Sequence, residues 1–340
     1  MVGITEVARH AGVAVSTVSY VLSGKRPISP PTRRRVLDSI ATLGYRPPAS
    51  ARSHTIGLAV RVDDGAHRPL LAEFMLSASV AARRHDCNVL LLTDHAEHSV
   101  LDAVLFDGLI LMDIGIHDPR LETVRCLPVP TVLIGLPHDP AGLACVDLDF
   151  RAAGHLCVDH LADLGHREVI LLGAPEAAYR RRTGFAVRTV AGAMERAAAR
   201  GVRLIHRPVE GDWDSTAGTL TRVLQERPDA TALIVQNEAA TAHLTPLLRS
   251  FGRAVPEDMS LVVLGSDAVA TAGTPPLSSI AVPAAGLTER AIELLRRRID
   301  QGTGGAGEPP VLLEPRLTVR ASTGPPPPPP PRPSPLPTSP

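Results

Sequence analysis

No stretch of the 340 residues approaches the roughly 18 consecutive apolar residues of a spanning helix, which excludes an integral membrane protein built on helices. The opening run MVGITEVARHAG lacks a basic-then-apolar signal pattern, so export by that route is not expected and the chain is placed in the cytoplasm. Cysteine is scarce and unpaired: Cys87, Cys126, Cys145 and Cys157 form no CxxC pair. That fits a reducing compartment and argues against a zinc module or a disulfide framework. Enzyme signatures are missing as well. There is no G-x-G-x-x-G after a first strand, no P-loop, no G-x-S-x-G elbow and no H-E-x-x-H. The thirteen histidines offer no ligand pair on one helix face, since His155 and His160 are five apart. No catalytic residue, metal or cofactor is therefore expected.

What is present is an ordinary globular composition, 44% hydrophobic and 21% charged, in a chain too long for one hydrophobic core. The formal net charge of zero hides an asymmetry. Residues 1–53 hold eight basic groups (Arg9, Lys25, Arg26, Arg33, Arg34, Arg35, Arg46, Arg52) against Glu6 and Asp38, a charge of +6, and the rest carries −6. A basic head on an acidic body suggests a polyanion-binding module attached to something with another task. The alternative is a basic face that is merely solvated.

Ile4, Val7, Ala8 and Ala11 fall on one stripe of an amphipathic helix that Gly12 stops. A second helix fits residues 15–23, with Val15, Val18 and Leu22 on its buried face and Ser16, Thr17 and Tyr20 opposite, Ser19 at the edge. A third begins with Ser29 as N-cap and Pro30 as first helical residue, buries Val36, Ile40 and Leu43, and stops at Gly44. Three short helices with a tight first turn describe a helix-turn-helix, or else a small bundle with a solvated Ser/Thr face.

The run ITEVARHAGVAVSTVSYVLSGKRPISPPTRRRVLDSIATLGYRPPASARS resembles the DNA-binding head of the LacI/GalR family of transcriptional repressors, including AGV, STVS, VLSG and LGYRP. The resemblance implies base-edge contacts from Ser16 and Tyr20 and phosphate contacts from Thr5, Thr17, Ser19, Ser29, Thr32 and Tyr45. It also puts Val15 at a base-contacting position, against the periodicity that buries it. Tyr20 stands where many members have arginine, so bidentate guanine readout is not expected there. In relatives the following linker becomes a hinge helix whose leucine wedges into the minor groove. Here Ala51-Arg52-Ser53-His54 runs straight into Thr55-Ile56-Gly57, so the leucine and several residues are missing. Arg52 is the expected minor-groove or phosphate contact of this shortened hinge, and His54 is either a solvated residue or a polar substitute wedge.

From residue 55 short apolar runs alternate with helical patterns. Ile56–Val62, Val89–Leu92, Gly108–Met112, Thr131–Ile134, Val169–Leu172, Ala232–Val235 and Leu261–Leu264 read as strands. Amphipathic segments follow, as at 72–85, 151–164 and 187–200. The fold class is an all-α helix-turn-helix head followed by a two-lobed α/β domain with parallel sheets. DHLADLGHREVILLGAP, VPEDMSLVVLGSD, PPLSSIAVP and VLLEPRLTVRAST extend the resemblance and imply the periplasmic-binding-protein-like fold, with a ligand cleft and a homodimer. By the same resemblance Arg181, Trp213, Asn237 and Asp267 contact a small-molecule effector, and an arginine, an amide and a carboxylate around an aromatic plate suit a carbohydrate or related polyol. The alternatives are a solvated helix start for Arg181 within Arg180–Arg182, core packing for Trp213 and a helix N-cap for Asp267. Where relatives often carry Asn-Pro-Phe-Phe this chain has His67-Arg68-Pro69-Leu70-Leu71, which departs from typical sugar specificity, and Asp63 and Asp64 are candidate polar contacts in that loop.

The expected organisation is a head at 1–46, a shortened hinge at 47–54, a two-lobed effector-binding and dimerisation domain at 55–323, and a disordered polyproline II tail at 324–340. The expected function is a transcriptional regulator, most simply a repressor, binding a pseudo-palindromic double-stranded DNA operator as a homodimer. Rival readings are an effector-independent DNA-binding regulator and a cytoplasmic solute-binding protein without regulatory DNA binding.

Overall fold

A computed structural model describes residues 2–23, 26–43, 45, 53–62, 69–93, 106–127, 129–301 and 308–328. The head forms α1 (Ile4–Ala11), α2 (Val15–Ser23) and α3 (Pro30–Leu43), matching the periodicity. Gly12 ends α1 at φ 62°, a left-handed turn that a side chain resists, and its N–H donates to the carbonyls of Ala8 and Arg9. The three helices close on Val7, Ala8, Ala11, Val18, Val21, Val36, Ile40 and Tyr45. The buried stripe of α2 therefore runs through Val18 and Val21. Val15 is 41% exposed, which corrects its expected burial. As first residue of α2 it has no preceding turn to pack against.

Among the described residues the body has twelve strands: β1 (Thr55–Val60), β2 (Asn88–Thr93), β3 (Gly108–Leu111), β4 (Thr131–Ile134), β5 (Ala144–Leu148), β6 (Glu168–Gly173), β7 (Arg203–Pro208), β8 (Ala232–Val235), β9 (Ser260–Gly265), β10 (Ser278–Ala281), β11 (Val311–Leu313) and β12 (Leu317–Thr318). The chain divides into two compact units. One takes Met1–Ala152, Ala174–Thr189 and Val282–Pro315; the other takes Ala153–Gly173, Val190–Ala281 and Arg316–Pro340.

The sheet of the first unit has the order β11-β5-β4-β3-β1-β2 with every pair parallel. Period-two alternation splits its residues between two faces. Ile56, Leu58, Val60, Ile110, Val132, Ile134 and Val146 pack against α4 (Pro69–Arg83) and the helix Ala284–Gln301. Leu109, Leu111, Leu133 and Cys145 pack with Leu121 and Val124 of the helix Arg120–Arg125. The second unit repeats the plan as β12-β10-β9-β8-β6-β7, parallel except for β12. Ile170, Leu172, Leu233, Val235, Leu261 and Val263 line one face, and Val169, Leu171, Ala232, Ile234, Val262 and Leu264 the other. Strands buried on both faces read as continuous apolar runs, which is why these were visible in the sequence.

Two boundaries shift. Ser53 N–H and Oγ donate to Asp107 Oδ1, and His54 N–H donates to Asp107 Oδ2, so the body already holds residues 53 and 54. At the other end Gly324 N–H donates to Ser260 Oγ, and its carbonyl lies 2.9 Å from Nε2 of buried His166. Packing thus continues through residue 324 rather than stopping at 323. Arg52, Asp63, Asp64, most of the hinge and residues 329–340 lie outside the described residues.

Candidate nucleic-acid interface and ligand-binding residues

The polar face expected of α2 is presented outward. Ser16 and Ser19 are exposed beside Val15, while Thr17 and Tyr20 are half-buried. The Arg26 guanidinium sits 5.2 Å from the centroid of the Tyr20 ring, a cation–π contact that steadies the ring and adds positive charge beside it. In the sequence Arg26 registers only as charge. Thr5 and Ser29 are exposed and Thr32 is half-buried, with Ser29 Oγ donating to Thr32 Oγ1 at 2.9 Å. Tyr45 packs its ring into the head's core, and burial pushes the phenol above its ordinary pKa.

In open parallel sheets ligands sit beyond strand C-terminal ends, where the strand order reverses. In the second unit that point lies between β6 and β8, and Asn237 follows β8 by two residues. Its amide is engaged: Oδ1 accepts from Ala239 N–H and Nδ2 donates to the Val209 carbonyl at 2.6 Å. Asn237 thereby caps the helix Glu238–Ser250 and fixes the loop that leads into the helix Trp213–Glu226. Trp213 is not core: it is 48% exposed and meets His243 edge-on at 5.5 Å. Asp267 is not an N-cap either, because Ser266 holds that position. Its carboxylate pairs with Arg320 at 2.5 Å and accepts from Ser279 Oγ.

Gly211 shows how tightly this loop is held. Its φ is 95°, and a Cβ there would lie 2.7 Å from Ala239 Cβ and 3.0 Å from Asn237 Nδ2. Gly211→Ala should cost about 1–3 kcal/mol and displace Asn237. Thermal denaturation checks it; an unchanged melting temperature would contradict the clamp.

In the first unit the reversal point lies between β1 and β3. Arg61 directly follows β1, and Asp113 follows β3 by two residues. The segment 182–184 is stitched to 114–116: Ile116 N–H donates to the Arg182 carbonyl and Gly184 N–H to the Ile114 carbonyl. This brings Arg181 Nη2 to 3.8 Å from Asp113 Oδ2, while Arg61 Nε lies 3.4 Å from the same oxygen. Arg181 is thus placed with Arg61 and Asp113, whereas Trp213, Asn237 and Asp267 belong to the second unit. Arg61 and Asp113 were missed in the sequence; their signal was a charge immediately beyond a buried strand.

Residues 3–48 match the family model for bacterial regulatory proteins of the lacI family. Residues 158–323 match that of the periplasmic binding protein-like domain. The chain belongs to the LacI family. It is 29% identical to the HTH-type transcriptional regulator CelR of Thermobifida fusca over 93% of this chain and 96% of that one. It is 27% identical to catabolite control protein A of Priestia megaterium over 95% and 99%. Among solved structures a CelR–cellobiose complex superposes with a TM-score of 0.69 at 28% identity, covering 95% of this chain and all of the other. The helical head and two-unit α/β body are those of this family, whose matched members are transcriptional regulators rather than enzymes. Among the described residues no helix is long and apolar enough to cross a membrane.

Proposed function

We propose that this LacI-family regulator is a cytoplasmic repressor that binds a pseudo-palindromic operator as a homodimer through residues 1–46. A small molecule, a sugar or related polyol held at the strand ends of the body, sets its affinity for DNA. The observation that carries the DNA reading is α2, which presents Val15, Ser16 and Ser19 to solvent beside Tyr20 within an N-terminal segment, residues 1–53, of charge +6. A helix of this width fits a major groove, hydroxyls bond phosphates or base edges, and apolar edges meet thymine methyls. A homodimer is supported by Leu76 and Val80, one helical turn apart on α4 and 69% and 48% exposed. The complex of CelR with cellobiose supports a carbohydrate ligand.

Selecting duplexes from a random pool with the full chain, then comparing selected and scrambled DNA, tests the assignment. Ser16→Ala and Tyr20→Ala should each lose about 1–3 kcal/mol of discrimination, whereas Arg33→Ala should weaken both duplexes alike. Equal discrimination in all variants would remove α2 from the reading.

A further inference from the structure

Two ion pairs of the first unit differ in a telling way. Arg120 and Asp118 are closed: Nε donates to Oδ1 at 2.9 Å and Nη2 to Oδ2 at 2.7 Å. Burial raises the Asp118 carboxyl, but the Arg120 hydrogen bond and charge, with the Gly115 and Arg120 N–H groups, carry it below its ordinary pKa. That is a finished structural pair. The second group is open. Arg61 and Arg181 share the single carboxylate of Asp113 at 3.4 and 3.8 Å, too far or too poorly aligned for hydrogen bonding. Nε of each arginine is buried without a hydrogen-bond partner.

A buried guanidinium N–H left unpaired is costly, and among the described residues two forks facing one carboxylate leave a surplus positive charge. The three side chains remain roughly a quarter to a third exposed, so a ligand can reach them. They stand beyond the ends of neighbouring strands β1 and β3, at the reversal of strand order. A neutral polyol would meet this excess with weak acceptors only. A carboxylate or phosphate supplies the charge-assisted acceptors that the forks lack.

We infer that the ligand of this regulator is an anionic sugar, a sugar acid or sugar phosphate, whose charged group sits between Arg61 and Arg181. Asp113 spaces the two guanidinium groups and opposes the anion, so it tunes affinity downward. The inference rests on the reading of the body as a ligand-binding unit and narrows the class of its ligand.

Calorimetry of the full chain with matched probes tests it: cellobiose against cellobionate, glucose against glucose 6-phosphate, and inorganic phosphate as the bare anion. The anionic member of at least one pair should bind tenfold or more tighter than its neutral partner, with affinity falling as salt rises. Arg61→Gln should weaken that binding by roughly ten- to a hundredfold. Asp113→Asn should strengthen it, a gain that a misfolded variant would not give. Asparagine suits this position because residue 113 has φ 58°, which asparagine tolerates. Tighter binding of the neutral members, with no response to Arg61→Gln, would overturn the anionic ligand while leaving the body a ligand-binding unit. Silence from every probe would also overturn it, and the ligand-binding reading would fall with it only if a thermal-shift screen of neutral sugars were equally blank.

Discussion

Deleting residues 1–52 should lower affinity for a selected duplex by roughly a thousandfold or more at physiological salt. Residues 1–53 carry +6 and the remainder −6, so the truncated chain has lost its cationic face and repels DNA. The intact chain should show a steep salt dependence, with log K falling by about 0.9 per tenfold rise in salt for each phosphate neutralised. The truncation should leave the body folded, because the helices of the head close on their own core. Electrophoretic mobility shift across a salt series checks both parts. Retention of affinity by the truncated chain would place the DNA-binding surface elsewhere.

The second large effect concerns stability. Asp147 is buried within β5, with Oδ2 accepting from Leu136 N–H, Oδ1 from Leu148 N–H, and Arg188 Nη1 4.0 Å away. Burial outweighs these partners and pushes its carboxyl up to about 7. Burial likewise lowers Arg188, so desolvation dominates at both ends of a pair too distant to hydrogen-bond. Because the folded value lies above the unfolded one, the folded state holds the proton longer. Stability is greatest below the unfolded carboxylate pKa, declines as pH rises towards 7 and is level beyond. Asp147→Asn removes that decline. Relative to wild type the variant should gain about 3 kcal/mol between about pH 5 and about pH 8, or roughly 5–10 °C in melting temperature. Taking the difference between the two proteins cancels the opposite trend of the second unit. There burial holds His206 at about 4, and stability falls as pH drops below 6.5. The same difference at both pH values would show that Asp147 carries no such burden.

Much of this architecture was legible because its strands are buried on both faces. Thr131–Ile134 and Ala232–Val235 were read to the residue, since a short apolar or β-branched run bounded by turn residues has few other uses. β5 was missed because Asp147 interrupts its apolar run, and β7, RLIHRP, because an edge strand carries charge on a half-exposed surface. In the head, periodicity found all three helices but misplaced Val15, because it cannot tell where a helix runs out of neighbours. The candidate ligand residues were harder. Asn237, Trp213 and Asp267 were found by resemblance, yet their hydrogen bonds and exposure depend on loops that no local pattern encodes. Arg61 and Asp113 are 52 positions apart and meet only through the pairing of β1 with β3.

A ligand bound to the body is expected to govern the head's grip on DNA, and fluorescence anisotropy of the full chain on its selected duplex measures this directly. With whichever probe calorimetry shows to bind, the duplex dissociation constant should change by roughly 5–150-fold, and the duplex should alter the probe's affinity by the same factor. A probe that binds the body while leaving duplex affinity unchanged would contradict it.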